Sequence, residues 1–134
     1  MITLEEIHPE DSRILPLYAD AGWENYTRQP DMLCSAFRHS LCALGAVEGD
    51  TLLGLVRLVG DGYSCVLIQD LLVRRDHQRQ GIGTALMQAA LARYPQAYQV
   101  QLLTDDTEKN RQFYTRLGFR AVSALGCAAY LRVK

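Results

Sequence analysis

The sequence lacks long apolar runs and any excess of charge of one sign. No apolar run approaches the ~20 residues that a membrane helix requires, and the start shows no basic stretch followed by an apolar one. The 14 basic and 15 acidic residues are interspersed and give a formal net charge of −1. Such a balance disfavours binding to nucleic acid or to an anionic membrane. We therefore expect a cytoplasmic protein with neither partner.

Metal-binding and disulfide patterns are also missing. The four cysteines include no Cys-x-x-Cys pair, and no histidine lies at zinc-finger spacing from them. We therefore expect no metal site, and four free thiols fit a reduced compartment. The chain has no repeat, low-complexity tract or linker. With 134 residues, 49% of them hydrophobic, it is predicted to be one domain, 1–134, that buries its own core.

Strand and helix patterns alternate along the chain, which predicts a mixed α/β (α+β) fold. Strands are predicted at 2–7, 41–47, 52–59, 64–73 and 100–103, with closing strands at 119–122 and 128–133. Helices are predicted after Pro9, at 30–40, at 81–94, and from caps at 105–107 to Leu117. The segment 22–27 is predicted to be a polar connection, and 41–73 to be three strands in antiparallel succession.

The turn Gln78-Arg79-Gln80-Gly81-Ile82-Gly83 joins a strand to a helix. Unpaired N–H groups at a helix N-terminus bind anions, and glycine lets a phosphate approach them closely. The Walker loop is excluded because Thr84 follows without lysine, and the dinucleotide fingerprint is excluded because position 86 is leucine. Alone, a Gly-x-Gly motif is more often a plain turn into a helix.

A second motif lies about thirty residues downstream, at Phe113-Tyr114-Thr115-Arg116-Leu117-Gly118-Phe119. Together the two motifs resemble the GCN5-related N-acetyltransferase (GNAT) superfamily. Its first signature is arginine or glutamine, two residues, glycine, one residue, then glycine or alanine, which Gln78, Gly81 and Gly83 match. Its second is phenylalanine-tyrosine, a short spacer, glycine and phenylalanine. The resemblance is strongest from Gln69 to Phe119 and weakest before Leu41.

The resemblance implies a mostly antiparallel sheet of six to seven strands with about four helices. It also implies that the strand before the glycine turn and the next strand splay apart around acetyl-coenzyme A. Backbone groups of Leu71, Leu72 and Val73 would bind the pantetheine arm. The pyrophosphate would be bound by Gln78, Arg79, Gln80, Gly81, Ile82, Gly83 and Thr84. Many family members carry asparagine where Thr107 stands, and Asn110 is a candidate substitute.

Acetyl transfer to an amine requires two proton transfers. An alkylamine with a pKa of ~10.4 is almost entirely protonated at pH 7, so a base must act. Asp70 is a candidate; a structural carboxylate bonded to nearby N–H groups and deprotonation through water are the alternatives. The departing thiolate must gain a proton, and the resemblance makes Tyr114 the candidate acid.

The acceptor site in this superfamily is formed largely by the segment between the first two strands, where Trp23, Tyr26 and Arg28 stand. The two aromatic residues could form a wall for an amine or could anchor the loop to the core. We expect a small-molecule primary amine as acceptor. A protein or peptide substrate, or a non-catalytic acyl-CoA-binding regulatory module, is the alternative. The resemblance also makes a homodimer possible.

Overall fold

The computed structural model describes every residue from Met1 to Lys134 and divides into two compact units, Met1–Leu103 and Thr104–Lys134. The first unit contains one sheet in the order β1-β2-β3-β4-β5. Its strands are β1 (Thr3–Glu6), β2 (Cys42–Glu48), β3 (Thr51–Gly60), β4 (Cys65–Val73) and β5 (Gln99–Leu102). Its helices are α1 (Ile14–Asp20), α2 (Glu24–Thr27), α3 (Pro30–Arg38) and α4 (Ile82–Ala92). No helix of either unit combines the length and the apolar character needed to cross a membrane.

The strands pair in chain order. β1 to β4 form antiparallel neighbours, which confirms the antiparallel succession predicted from the sequence. β5 instead runs parallel to β4 and pairs with it only from Cys65 to Ile68. Because parallel strands need a crossover, α4 carries the chain from the end of β4 back to the start of β5. Pairing between β4 and β5 thus covers only the first half of β4.

The core occupies both faces of the sheet. On one face, Tyr18 of α1 and Phe37 of α3 pack in a cluster with Leu55 of β3. On the other, α4 approaches so closely that a Cβ on Gly54 would lie 3.1 Å from Ile82 Cγ2. Only glycine fits this contact without displacing the helix. Covering β3 from both sides accounts for its run of seven consecutive buried residues, Leu52 to Leu58.

The second unit contains α5 (Glu108–Arg116) and a 3-10 turn at Val122–Leu125. Thr107 caps α5 by accepting a hydrogen bond from the Asn110 N–H at 3.2 Å. Gly118 follows the helix with φ +94°, and the Phe119 N–H donates to the Tyr114 carbonyl at 3.0 Å. Both ends therefore confirm the predicted cap and the predicted left-handed glycine.

Two predictions about the elements are wrong. No strand forms at 119–122 or at 128–133, so the sheet has five strands rather than six to seven. A strand requires a neighbouring backbone, and residues 128–134 form no backbone hydrogen bond. The connection 22–27 also contains the short helix α2, which raises the number of α-helices to five. Its four residues carry too little periodicity to reveal it.

Candidate active site

The glycine turn presents unbonded amides at the start of a helix. Gly81 is the N-cap of α4, with φ +80°, and Arg79 also has a positive φ, +66°. The Gly81 carbonyl accepts from Ala85, but the N–H groups of Gly81 through Thr84 donate to no backbone group. Four neighbouring donors at the positive end of an eleven-residue helix form a site for an anion. The side chain of Ile82 is buried, so only its backbone can take part.

The strand that precedes this turn has an open side. β5 pairs with β4 as far as Ile68, whereas β3 continues alongside β4 to Val73. The Arg74 N–H donates to the Leu53 carbonyl at 2.7 Å, so by alternation the backbone of Leu72 also faces β3. The backbone groups of Leu71 and Val73 therefore face the open side. One of these groups, the Val73 carbonyl, accepts a hydrogen bond from Gln78 Nε2 at 3.3 Å.

Asp70, on the same strand, has its side chain buried in the core beneath α1 and α2. It is 3% exposed and forms an ion pair with Arg57, itself 4% exposed, at 2.8 Å from Nε to Oδ2. Tyr18 Oη donates to the same oxygen at 2.8 Å, and Tyr26 Oη donates to Oδ1 at 3.0 Å. The carboxylate is thus held by side-chain hydroxyls and a guanidinium rather than by backbone N–H groups. Three donors therefore occupy the two carboxylate oxygens.

The remaining donors of Arg57 are also engaged. Nη1 donates to Ser40 Oγ at 3.2 Å and Nη2 to Tyr26 Oη at 3.4 Å, and the guanidinium lies 5.5 Å from the centre of the Phe37 ring. Burial raises the pKa of Tyr18 far above its ordinary value, and the charge of Asp70 adds to the effect. Tyr18 therefore remains a neutral donor. The sequence analysis missed the role of Tyr18 as a donor to Asp70. An arginine within an apolar strand, Arg57, is the signal that a buried partner is needed.

The aromatic segment after α1 packs on this network. Tyr26 meets the Tyr18 ring edge-on with centroids 5.2 Å apart, and Trp23 meets it at 5.7 Å. Both side chains are half-buried against the core, and burial raises the pKa of Tyr26. The predicted anchoring of the loop is therefore present. Arg28 lies outside, fully on the surface, and forms an ion pair with Glu24 at 2.7 Å.

In the second unit, Tyr114 lies between two aromatic rings. Its centroid is 4.9 Å from that of Phe113 and 5.9 Å from that of Phe119, both in edge-on geometry. Burial raises the pKa of Tyr114, with a hydrogen bond from Thr104 acting in the opposite direction. Asn110 donates from Nδ2 to Thr104 Oγ1 at 3.0 Å and to the Asp105 carbonyl at 3.1 Å. Its amide nitrogen therefore orders the loop before α5, and only its carbonyl oxygen is left for a ligand.

This arrangement has clear relatives among solved structures. A GNAT family acetyltransferase from Streptococcus pneumoniae is 44% identical, with a TM-score of 0.91 over 100% of this chain and 98% of that one. At 20% identity, a ribosomal-protein-alanine N-acetyltransferase from Brucella melitensis shares the fold, with a TM-score of 0.73 over 100% of both chains. A PaiA N-acetyltransferase from Thermoplasma acidophilum, solved in complex with coenzyme A, is 18% identical, with a TM-score of 0.72 over 90% of each chain.

Among proteins with curated descriptions, none matches the chain significantly. The model of the acetyltransferase (GNAT) family matches residues 4–119 and so spans both motifs. With the anion site, the half-open strand and a solved relative at 44% identity, this match establishes that the chain belongs to the GNAT family of acetyltransferases.

Proposed function

We propose that this acetyltransferase moves the acetyl group of acetyl-CoA to a primary amine of a small molecule. The observation that carries the proposal is the continuity of two binding features. The half-open strand β4 ends at Val73, whose carbonyl accepts from the side chain of Gln78, three residues before the N-cap Gly81 of α4. An extended arm that ends in a diphosphate requires backbone groups along a strand followed by a cluster of N–H donors. Coenzyme A has that shape, and it supplies the activated acetyl thioester.

The cofactor contacts follow from which groups are available. Leu71 and Val73 offer backbone N–H and carbonyl groups on the open side, whereas Leu72 contributes to the core. For the diphosphate, we propose the amides of residues 80 to 84, with Gln78 and Arg79 beside them. Asn110 is a weaker candidate, because its Nδ2 is already bonded within its own loop. Since the family match spans both units, we propose that 1–134 works as one catalytic domain.

Tyr114 is the proposed general acid. A phenol is a suitable proton donor to a thiolate, because the ordinary pKa values of the two groups, ~10 and ~8.5, are close. Burial raises the pKa of Tyr114, which keeps the proton on Oη at neutral pH. The rings of Phe113 and Phe119 restrict the phenol. A fixed rotamer lowers the entropic cost of presenting the hydroxyl.

The hydrogen bonds of Asp70 limit its use as the base that deprotonates the amine. Its carboxylate is buried and holds three donors, so direct removal of a proton from an amine would require the network to open. We propose that Asp70 instead orients Tyr26. With its proton directed to Asp70, Tyr26 Oη accepts from Arg57 Nη2 at 3.4 Å, and the amine or a water molecule would replace this long contact. The amine then passes its proton through water to bulk solvent.

The acceptor is proposed to bind against Trp23 and Tyr26, with Arg28 at the surface nearby. A short loop anchored to the core leaves a small wall for a compact amine rather than a long groove for a peptide. A peptide or protein substrate is the second candidate, and a non-catalytic acyl-CoA-binding regulator the third. Four free cysteines support the proposal of a cytoplasmic enzyme, and a homodimer is proposed as its assembly.

A panel of amines tests the function. Release of free thiol from acetyl-CoA is measured with aromatic amines, polyamines, aminoglycosides and peptides with free N-termini or lysines. We expect turnover with a small amine and little with any peptide. The reverse ranking would assign a peptide acetyltransferase. If acetyl-CoA binds but no amine is acetylated, the result would favour the non-catalytic regulator. Slow hydrolysis of acetyl-CoA in such an assay would not change that conclusion.

The Tyr26 proposal has its own test. Tyr26→Phe keeps the ring contacts but removes the hydroxyl, so the KM for the amine should rise several-fold with the KM for acetyl-CoA unchanged. Arg28→Ala serves as the control for the surface of the same segment. An unchanged amine KM in Tyr26→Phe would show that the hydroxyl is purely structural.

A further inference from the structure

Asp20 carries a negative charge at a position where its own helix disfavours one. It is the last residue of α1, and the last turn of that helix contains no basic residue. The C-terminal end of a helix is the negative end of its dipole, and aspartate is a poor helix former. The half-buried side chain instead serves a partner outside the helix, because Oδ2 accepts a hydrogen bond from the Arg75 N–H at 2.9 Å.

This hydrogen bond joins the acceptor segment to the start of the turn that precedes α4. Arg75 begins a 3-10 turn, Arg75–His77, which lies between the end of β4 and the glycine turn. The preceding amide, that of Arg74, donates to the Leu53 carbonyl of β3 at 2.7 Å. Two successive amides thus attach the start of the turn to two different elements, of which α1 is 55 positions away in the chain.

The end of α1 is itself held on both sides of Asp20. Two residues earlier, Tyr18 is fully buried and donates to Asp70 of β4 at 2.8 Å. Two residues later, Gly22 has φ +76°, and a Cβ there would lie 3.0 Å from Arg75 Nη2. The backbone of Gly22 therefore lies close to the guanidinium of the residue whose amide Asp20 binds. Because α1 is fixed in this way, the Asp20 carboxylate has a defined position from which to hold the turn.

We propose that Asp20 is a positioning residue for acetyl-CoA, which acts by ordering the turn that leads to the amides of residues 81–84. The inference rests on the proposed binding of the cofactor's diphosphate to those amides. A turn that is ordered before the cofactor arrives loses less conformational entropy on binding. The charge of Asp20 would repel a diphosphate, so the side chain helps only through its hydrogen-bonding oxygen. The oxygen should therefore matter for cofactor affinity, and the charge should not.

Equilibrium binding of coenzyme A to the full chain, measured by calorimetry, tests this distinction. Asp20→Ala removes the oxygen and should raise the Kd about tenfold. Alanine favours the helix, so a weaker α1 would not explain that result. Asp20→Asn keeps an acceptor oxygen without the charge, and its Kd should stay within about twofold of the wild-type value. The control is Glu10→Ala, which breaks a 2.7 Å ion pair with Arg38 elsewhere in the same unit and should leave the Kd unchanged.

Hydrogen exchange without coenzyme A reports the hydrogen bond directly. The Arg75 amide should exchange faster in Asp20→Ala than in the wild type, and Asp20→Asn should restore its protection. An unchanged Kd in Asp20→Ala would overturn the proposal while leaving the cofactor contacts intact. Equal weakening in both Asp20 variants would also overturn it, because the effect would then follow the charge. A wild-type chain that binds no coenzyme A would overturn the cofactor contacts as well.

Discussion

The first unit, Met1–Leu103, and the second, Thr104–Lys134, support their motifs in different ways. Every buried hydrophobic side chain lies between Ile7 and Ala90, and helices cover both faces of the sheet there. In the second unit, α5 contains no fully buried residue and is defined by local features, the Thr107 cap and the turn at Gly118. The first unit therefore derives its stability from packing, and the second from short-range hydrogen bonds.

Because of this difference, the residues that stabilise the fold and the proposed acid lie in different units. The proposed cofactor contacts are held by a core: the end of β4 and the start of α4 cannot shift without disturbing Leu72 and Ile82. The proposed acid, Tyr114, is on a helix without a fully buried residue. Substitutions among the core residues of the first unit should therefore act mainly on unfolding, and those in the second unit mainly on turnover or local order.

The largest expected effect is on the Arg57–Asp70 pair. Asp70→Ala leaves a buried guanidinium uncompensated and should lower the free energy of unfolding by about 3–5 kcal/mol, measured by urea denaturation. Asp76→Ala, which breaks exposed pairs in the same unit, should leave the midpoint nearly unchanged. The double variant Arg57→Met with Asp70→Leu should recover much of the loss. A mild effect of Asp70→Ala would contradict the view that this network stabilises the core.

The next effect should fall on turnover alone. Tyr114→Phe removes the proton donor but keeps the ring contacts, so kcat should drop about 100-fold or more, with the unfolding midpoint unchanged. Because burial raises the pKa of Tyr114, ionisation of this group should not reduce the wild-type kcat below pH ~10. Tyr63→Phe, at an exposed tyrosine of the first unit, is the control. Equal kcat values in both variants would remove the acid role.

A smaller effect is expected at the glycine turn. Gly81→Ala forces a side chain into φ +80° and should cost about 1–2 kcal/mol of stability. It should also raise the KM for acetyl-CoA several-fold, because the amides of the anion site shift. Gly49→Ala provides a matched control, since Gly49 also has a positive φ, +61°, and open space around its Cβ. It should lose similar stability with an unchanged KM. A KM rise in both would indicate a general effect of strain.

The smallest effect concerns the local cap of α5. Thr107→Ala should destabilise the helix by about 1 kcal/mol, which corresponds to exchange of the α5 amides about fivefold faster. Exchange in β3 should not change, because that strand belongs to the packed unit. Ser123→Ala, in the same unit but at no helix cap, should change neither. Faster exchange throughout the chain, with an equal effect in β3, would show that the two units unfold together.

Local signals in the sequence predicted much of this molecule. The antiparallel run β2 to β4, the helix that begins at the glycine turn, the Thr107 cap and Gly118 were all predictable, because each depends on residues close in the chain. The glycine turn itself was located without any tertiary information. These features follow from backbone conformation and from periodic burial, both of which a short sequence window contains.

Other features depended on residues far apart in the chain. Tyr18 and Asp70 are separated by 52 positions, and nothing near either residue identifies the other as its partner. The same limitation explains the wrong closing strands. The segment 128–133 has a strand composition, but whether it forms a strand depends on a neighbouring backbone that composition cannot specify.

The sequence by itself determined the family, and it located the proposed anion-binding turn and the proposed acid Tyr114, because each is encoded by a contiguous motif. Only the tertiary structure decided that Asp70 is held by Tyr18, Tyr26 and Arg57, and that β4 loses its neighbour after Ile68. The physical reason is that burial and strand pairing are properties of surfaces brought together by folding. A motif specifies the groups that can act, and packing determines which of them are free to do so.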